Sequence, residues 1–455
     1  MAKRSASRAK PAAKGAAIRV RMYRVGFGDF FLLTVPGKAG PQHILIDCGV
    51  HAGNIKSMPD CVADLAEATG GKLALVIVTH YHADHLSGFA TQSDAFAKFE
   101  VDMVWITNRL DPGDDASSRF KTQLHGLAIA LRMQLLLRLQ AGEDPIARQA
   151  LAKVDNALGV GLGVSGSAND KALEVVTRGF KNKPQVRYYE AGQAPELPAA
   201  LQGALDAEVL GPAPKRVADQ FATSDNKLAQ YLAAAEADGL PDTTAFAPFD
   251  GDWLVDASAY ADDAFRPWNA GDMEKALHDL QPDTLAAAAD VIDGTLNNQS
   301  LVVLFTCRNK KLLFVGDAQW GNWAYWLYGK PVKGKDPGIT SRAKEILGSI
   351  DFYKVGHHGS TNATPIPAVG AMADACSAMC STESGCYGSV EKKTEVPRVA
   401  LIEALEQQTR NRLVRSDWIA VDGKAPANKQ ARNQLRALPA HFTQGEVYID
   451  YVLPV

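Results

Sequence analysis

Short apolar runs that stop abruptly at Asp, His or Gly recur along this 455-residue chain. His43-Ile44-Leu45-Ile46 leads into Asp47-Cys48-Gly49, and Val76-Ile77-Val78 leads into Thr79-His80-Tyr81-His82-Ala83-Asp84-His85. Lys311-Leu312-Leu313-Phe314-Val315 reaches Gly316-Asp317, and Ile350-Asp351-Phe352-Tyr353-Lys354-Val355-Gly356 runs into His357-His358-Gly359-Ser360. Apolar runs of this length bounded by Gly predict buried strands, and four of them deliver polar groups from their carboxyl ends. In layered α/β folds the loops after such ends gather along one sheet edge, where ligand crevices form. Between these strands the pattern changes. Leu124 to Leu139 holds strong helix formers with apolar residues on more than one face, which predicts a helix packed on a helical neighbour. A second helix is predicted from Pro145 to about Ala157. Val186–Tyr189 and Ala207–Leu210 predict short strands, the latter closed by Gly211-Pro212. Trp320, Trp323 and Trp326 recur every third residue, which suits a buried helix stripe better than a base-stacking platform.

The junction at His80-x-His82-x-Asp84-His85 is the most chemically loaded. Imidazole and carboxylate are ligands that Zn²⁺ and similar divalent ions prefer, and this segment offers more of them than one tetrahedral ion takes from one short stretch. Two metals are therefore expected, His80 and His82 converging on one, Asp84 and His85 facing the other. A group of surface or helix-capping histidines is the plainer alternative. The recurrence of ligand-type residues at the other strand ends favours a site.

With Asp47 upstream and Asp317 and His358 downstream, this array resembles the metallo-β-lactamase superfamily, which implies an αββα sandwich of two mixed sheets flanked by helices. Val25-Gly26-Phe27-Gly28-Asp29 before Phe30-Phe31-Leu32-Leu33, then Asn297-Asn298-Gln299-Ser300-Leu301-Val302, then His357-His358-Gly359-Ser360 resemble a narrower group. That group is the metallohydrolase domain of ComEC-type DNA-uptake proteins and its relatives, phosphorylcholine esterases included. The resemblance extends over roughly residues 19–110 and 296–365. It implies His80 and His82 as ligands of a first ion, Asp84, His85 and His358 as ligands of a second, and Asp317 as a bridge. It implies for Asp47 a carboxylate that accepts a hydrogen bond from a ligand imidazole and fixes its tautomer. His357 would be a substrate-facing acid or oxyanion donor, and the adjacent pair leaves open which imidazole binds metal. Many family members add a third His to the first ion. Here only His125 and His278 lie between the main motif and Asp317, and neither fits a match. That leaves Asn298 or a water for the position, and a weakly held first ion.

The resemblance implies a hydrolase with two divalent cations, Zn²⁺ or Mn²⁺. Such a pair about 3.5–4 Å apart lowers the pKa of a shared water toward ~7 and clamps the oxygens of a phosphoryl displacement. Asp84, Asp317 and His357 form the implied catalytic set. The His-His-Gly-Ser tetrad tilts the expectation toward a phosphodiesterase or nuclease. The alternatives are a hydrolase of a small ester, lactone or phosphorylcholine-like substrate, and a non-catalytic metal-containing binding module.

Composition changes this picture in three places. With 46% hydrophobic and 22% charged residues, the chain can bury one large core or two smaller ones. No apolar run approaches the ~20 residues that cross a bilayer, so no membrane partner is expected. Residues 1–17 are basic and small, a disordered tail without a secretory core region. The six cysteines do not form a disulfide framework. Cys376, Cys380 and Cys386 offer three thiols without a fourth ligand, so reduced packing cysteines in a cytoplasmic protein are expected. From Val217 to Thr295 sixteen Asp/Glu face three Lys/Arg, and from Gln408 to Ala440 seven Lys/Arg face two Asp. The first segment reads as a solvated helical cap near the mouth of the site, as a docking surface for a protein partner, or as a gate that repels polyanions until displaced. The second reads as a solvated face, a mate for the acidic segment, or a contact to a nucleic acid or nucleotide backbone. The expected organisation is a core first half over 18–110, an insertion over 111–295 that is helical and then acidic with a few core strands, and a core second half with a C-terminal extension over 296–455.

Overall fold

The apolar runs become strands of two mixed sheets stacked face to face. The computed structural model describes residues 17–53, 55–160, 167–222, 226–231, 282–388, 390, 394–420 and 432–455. The strands are β1 (Ala17–Tyr23), β2 (Phe30–Gly37), β3 (Gly40–Cys48), β4 (Lys72–Val78), β5 (Glu100–Thr107), β6 (Gln185–Tyr189), β7 (Asp206–Gly211) and β8 (Val302–Cys307). They continue as β9 (Lys310–Phe314), β10 (Phe352–Lys354), β11 (Ser377–Cys380), β12 (Leu413–Arg415), β13 (Phe442–Gln444) and β14 (Tyr448–Pro454). The first sheet runs β13-β14-β1-β2-β3-β4-β5-β6 and the second β12-β11-β10-β9-β8-β7. In the first, β3, β4, β5 and β6 are mutually parallel, with Ile46 beside Ile77. In the second, β9, β10, β11 and β12 are parallel, with Phe314 beside Lys354. The carboxyl ends of both parallel sets supply the loops that form the site.

Period-two alternation assigns each face. Val20, Phe31, Leu33, Ile44, Ile46 and Ile77 point into the layer between the sheets and meet Val303, Phe305, Leu312 and Phe314. Leu32, Leu45, Val76 and Val78 point the other way, onto helices. A strand buried on both faces must be apolar almost throughout, which is why Leu73 to Val78 reads as an unbroken run. The covering helices are α1 (Met58–Thr69), α2 (Ala83–Thr91), α3 (Asp115–Ala141), α4 (Pro145–Leu158), α5 (Ala168–Arg178) and α6 (Pro282–Asn297). On the far side, α7 (Trp320–Tyr328) packs on the second sheet, with Trp320 and Trp323 buried. The architecture is the αββα sandwich.

Helix α3 begins earlier than its apolar stretch because Asp114 accepts from Ser117 N and caps it. It packs on α4 and α6 through Ala128, Leu131 and Leu135. Its other apolar face stays in solvent, with Met133 and Leu137 each 54% exposed. The acidic segment falls mostly outside the described residues, as do residues 1–16, His278, Lys424 and Lys429. The basic C-terminal run does not form one patch. Arg415 is buried against Asp417, Arg436 pairs with Glu406 across Trp418, and Arg410 pairs with Asp374. All six cysteines are free, five of them buried, and among the described residues none joins a metal-type cluster.

Candidate metal centre

Three loops converge because small residues let them. At Gly49, after β3, an added Cβ would lie 2.4 Å from the backbone of Asp84 and His85. At Gly316, with φ +53°, it would lie 2.9 Å from Thr79 Cβ. These positions bring the β3 and β9 exits against the β4 exit. Asp47, His357 and His358 have φ of 54°, 41° and 51°, the left-handed region that costs L-residues roughly 1–2 kcal/mol each. Hydrogen bonds hold them there. Asp47 accepts from Thr79 N at 2.8 Å and from Thr79 Oγ1 at 2.7 Å, and His357 N donates to Asp317 Oδ1 at 3.0 Å. The start of α2 is fixed by Asn156 on α4, whose Oδ1 accepts from Asp84 N at 3.0 Å, and by Asn169 on α5, whose Nδ2 donates to Tyr81 O at 3.0 Å.

The side chains so placed form two overlapping groups. Asp84, His85, Asp317 and His358 have ligand-type atoms within 4.8 Å of one another, and so do His80, His82 and Asp84. All are buried. The carboxylate common to both groups is Asp84, whereas the resemblance implies Asp317 as the bridge. Asp317 Oδ1 is engaged by His357 N–H and lies 3.4 Å from Lys354 Nζ, so only its Oδ2 faces His85 and His358. A third group, Asp29, Asp47 and His85, serves to hold rather than to ligate. Its His85 Nδ1 already lies 2.7 Å from Asp47 Oδ2, and Asp29 is paired with Lys354.

The donor atoms fit a cation. Asp84 Oδ1, His85 Nε2 and Asp317 Oδ2 are buried without a hydrogen-bond partner, a state that costs free energy unless something charged completes it. His85 Nε2 and His358 Nε2 approach Asp317 Oδ2 to 3.1 and 3.3 Å. His80 Nε2 and His82 Nδ1 face each other at 3.0 Å. The outward nitrogens are meanwhile held by the protein: His80 Nδ1 by Thr79 Oγ1 at 3.1 Å, His85 Nδ1 by Asp47, and His358 Nδ1 by Ser381 O at 2.8 Å. That is how imidazoles are oriented for metal ligation.

Electrostatics point the same way. Burial pushes His80 and His82 below the ordinary imidazole range, keeping their lone pairs free. Burial also works against charge on His85 and His358, but Asp317 and the neighbouring carboxylates outweigh it, raising His85 well up and His358 to about 10. Burial likewise opposes charge on Lys354, yet Asp29 and Asp317 hold it above the usual lysine range. The buried carboxylates thus draw positive charge onto the groups around them.

Asn298, considered for the first ion, lies on the cleft wall with Oδ1 accepting from Asn322 N at 2.9 Å. The carboxylate facing His82 Nε2 is Asp293 on α6, at 3.8 Å. His357 stands at the rim: Nδ1 lies 2.7 Å from Ser360 Oγ and 3.1 Å from Asn362 Oδ1, and Nε2 lies 3.3 Å from Asn297 Nδ2. Asn297 Nδ2 also donates to Asp293 Oδ2 at 3.0 Å, so the amide presents nitrogen to His357 and Nε2 is the acceptor. His82, Asp293, Asn298, His357, Ser360 and Asn362 border a cleft of about 620 Å³ that reaches Lys227, Tyr387 and Thr361. His125 borders a separate small pocket beside α3. Sequence reasoning gave no role to Lys354, Asp293, Asn297, Ser381, Asn156 or Asn169. Only Lys354 carried a signal, a cation inside an otherwise apolar strand.

Comparison with curated proteins returns no match. The profile of the metallo-beta-lactamase superfamily matches residues 25–97, the stretch that runs from the β1–β2 turn through Asp47 and the His80–His85 segment to the end of α2 and just beyond.

Proposed function

We propose that this protein is a metal-dependent hydrolase whose substrate is a phosphodiester. The observation that carries the reading is the pair of buried ligand groups sharing Asp84, with Asp84 Oδ1, His85 Nε2 and Asp317 Oδ2 making no hydrogen bond beside an open cleft. His80 and His82 would hold a first divalent ion, and His85, Asp317 and His358 a second, with Asp84 between them. Such ions supply Lewis acidity, lowering the pKa of the attacking water and neutralising the charge that develops on phosphoryl oxygens. The chain supplies the rest. Thr79, Asp47 and Ser381 fix the imidazole tautomers. His357, whose Nε2 accepts from Asn297 in the resting site, would take the proton of the attacking water at Nε2 once that contact opens and return it to the leaving oxygen, while Ser360 and Asn362 steady its ring. With the ions offsetting the lining carboxylates Asp84 and Asp317, Lys227 on the cleft wall would be a contact for an anionic substrate.

The test is a substrate panel with the Zn²⁺- and Mn²⁺-loaded protein: bis(p-nitrophenyl) phosphate, a short single-stranded oligonucleotide, a p-nitrophenyl phosphorylcholine, a lactone and a carboxylic ester. Cleavage of the diesters that is lost in Asp317→Asn supports the proposal. Activity confined to the lactone or the carboxylic ester overturns the substrate class.

A further inference from the structure

Three of the four paired imidazoles have an outward nitrogen held by the strand-end loops, and His82 does not. Its Nδ1 faces His80 Nε2 at 3.0 Å, so Nδ1 is the atom on the ligand side. The opposite atom, Nε2, is buried without a hydrogen-bond partner on a residue 1% exposed. A ring nitrogen that points away from a metal carries a proton and needs an acceptor. The group facing it is Asp293 Oδ1, at 3.8 Å, a little beyond hydrogen-bond length. The other oxygen of that carboxylate accepts from Asn297 Nδ2 at 3.0 Å, and that same nitrogen meets His357 Nε2 at 3.3 Å. Asp293 and Asn297 are one turn apart on α6, so a single helix face touches both the proposed first-ion ligand and the proposed acid–base group.

We propose that Asp293 is the positioning carboxylate of the first ion, fixing His82 as a Nδ1 ligand through Nε2–H, and that Asn297 passes the same constraint to His357. The inference rests on the metal-centre reading and deepens it. Without the third imidazole implied for many family members, the first ion would depend on His82 being steadied from outside by a carboxylate delivered by α6. Asp293 plays for His82 the part that Asp47 plays for His85.

The experiment is titration of the metal-free full-length protein with Co²⁺, read by its visible absorption bands and by competition with a chromophoric chelator. Asp293→Asn is expected to weaken one of two ions by about 10–100-fold and leave the other unchanged. At saturation its absorption bands should match wild type, because the carboxylate is not itself a ligand. Asp290→Asn, one turn earlier and paired with Lys153, is expected to keep both affinities. Unchanged affinities in Asp293→Asn overturn the inference. So does an equal loss in Asp290→Asn, which would make the effect one of general charge, and so do altered bands at saturation, which would make Asp293 a ligand. A wild-type protein that binds no Co²⁺ at all overturns instead the metal-centre reading beneath it. If Asp293→Asn unfolds, Asp293→Glu is the second variant, expected to restore part of the lost affinity.

Discussion

Replacing Asp47 by Asn tests the scaffold of the second ion with little change in volume. The carboxylate makes three contacts of 2.7–2.8 Å, to Thr79 N, Thr79 Oγ1 and His85 Nδ1. Asn is tolerated at φ 54° and its Oδ1 keeps the bond to Thr79 N. The NH₂ group then stands where Oδ2 was and presents protons to His85 Nδ1. His85 must turn acceptor at Nδ1 and carry its proton at Nε2, on the side of Asp317, where the lone pair is needed. Losing a hydrogen bond to a charged group costs about 1.5–3 kcal/mol of stability. Losing the outer partner of a ligand imidazole costs about 10–100-fold in metal affinity, or about 1.4–2.8 kcal/mol. Asp47→Ala adds roughly 1 kcal/mol more for the left-handed backbone. Thermal melts and chelator competition on Asp47→Asn measure both quantities. Wild-type affinity for both ions, with an unchanged midpoint, would refute the tautomer argument.

Further outcomes follow from the same contacts. Lys354→Met strands Asp29 beside Asp317 and should lower stability by roughly 3–5 kcal/mol, read from a urea midpoint. His357→Ala should slow turnover at least tenfold yet keep metal content, whereas His358→Ala should lose one ion; the reverse pattern, by elemental analysis, would swap their roles. The metal-free protein should lose stability as pH rises. His85 and His358 have folded pKa values raised above the usual 6.5, His358 to about 10, so their contribution is complete below about 6.5 and disappears toward 10. Melting temperatures of chelated protein that stay flat or climb across that window contradict this.

Much of this centre is legible in the sequence because its ligands sit at strand ends, where an apolar run and a following polar cluster are contiguous. Strand β4, buried on both faces, and the motif that follows it are local signals. Asp317 and His358 obey the same grammar at β9 and β10. The outer contacts are different in kind. Asp293 is one of many acidic residues in its segment, and only the folding of α6 onto His82 separates it from the others. Asn156 and Asn169 act on backbone groups of the α2 loop from two other helices, a relation with no pattern along the chain. Composition misleads at the other end. The C-terminal cations look like one basic face, but Arg415 ends β12, a buried edge strand, and turns inward to Asp417, so charge count and surface charge part company.

Metal content decides the central claim most directly. Elemental analysis of the purified protein, repeated after mild chelation and again after dialysis against Zn²⁺ or Mn²⁺, is expected to find up to two divalent ions per chain, one of them lost first. A protein that carries no divalent ion and gains none under either metal contradicts the account.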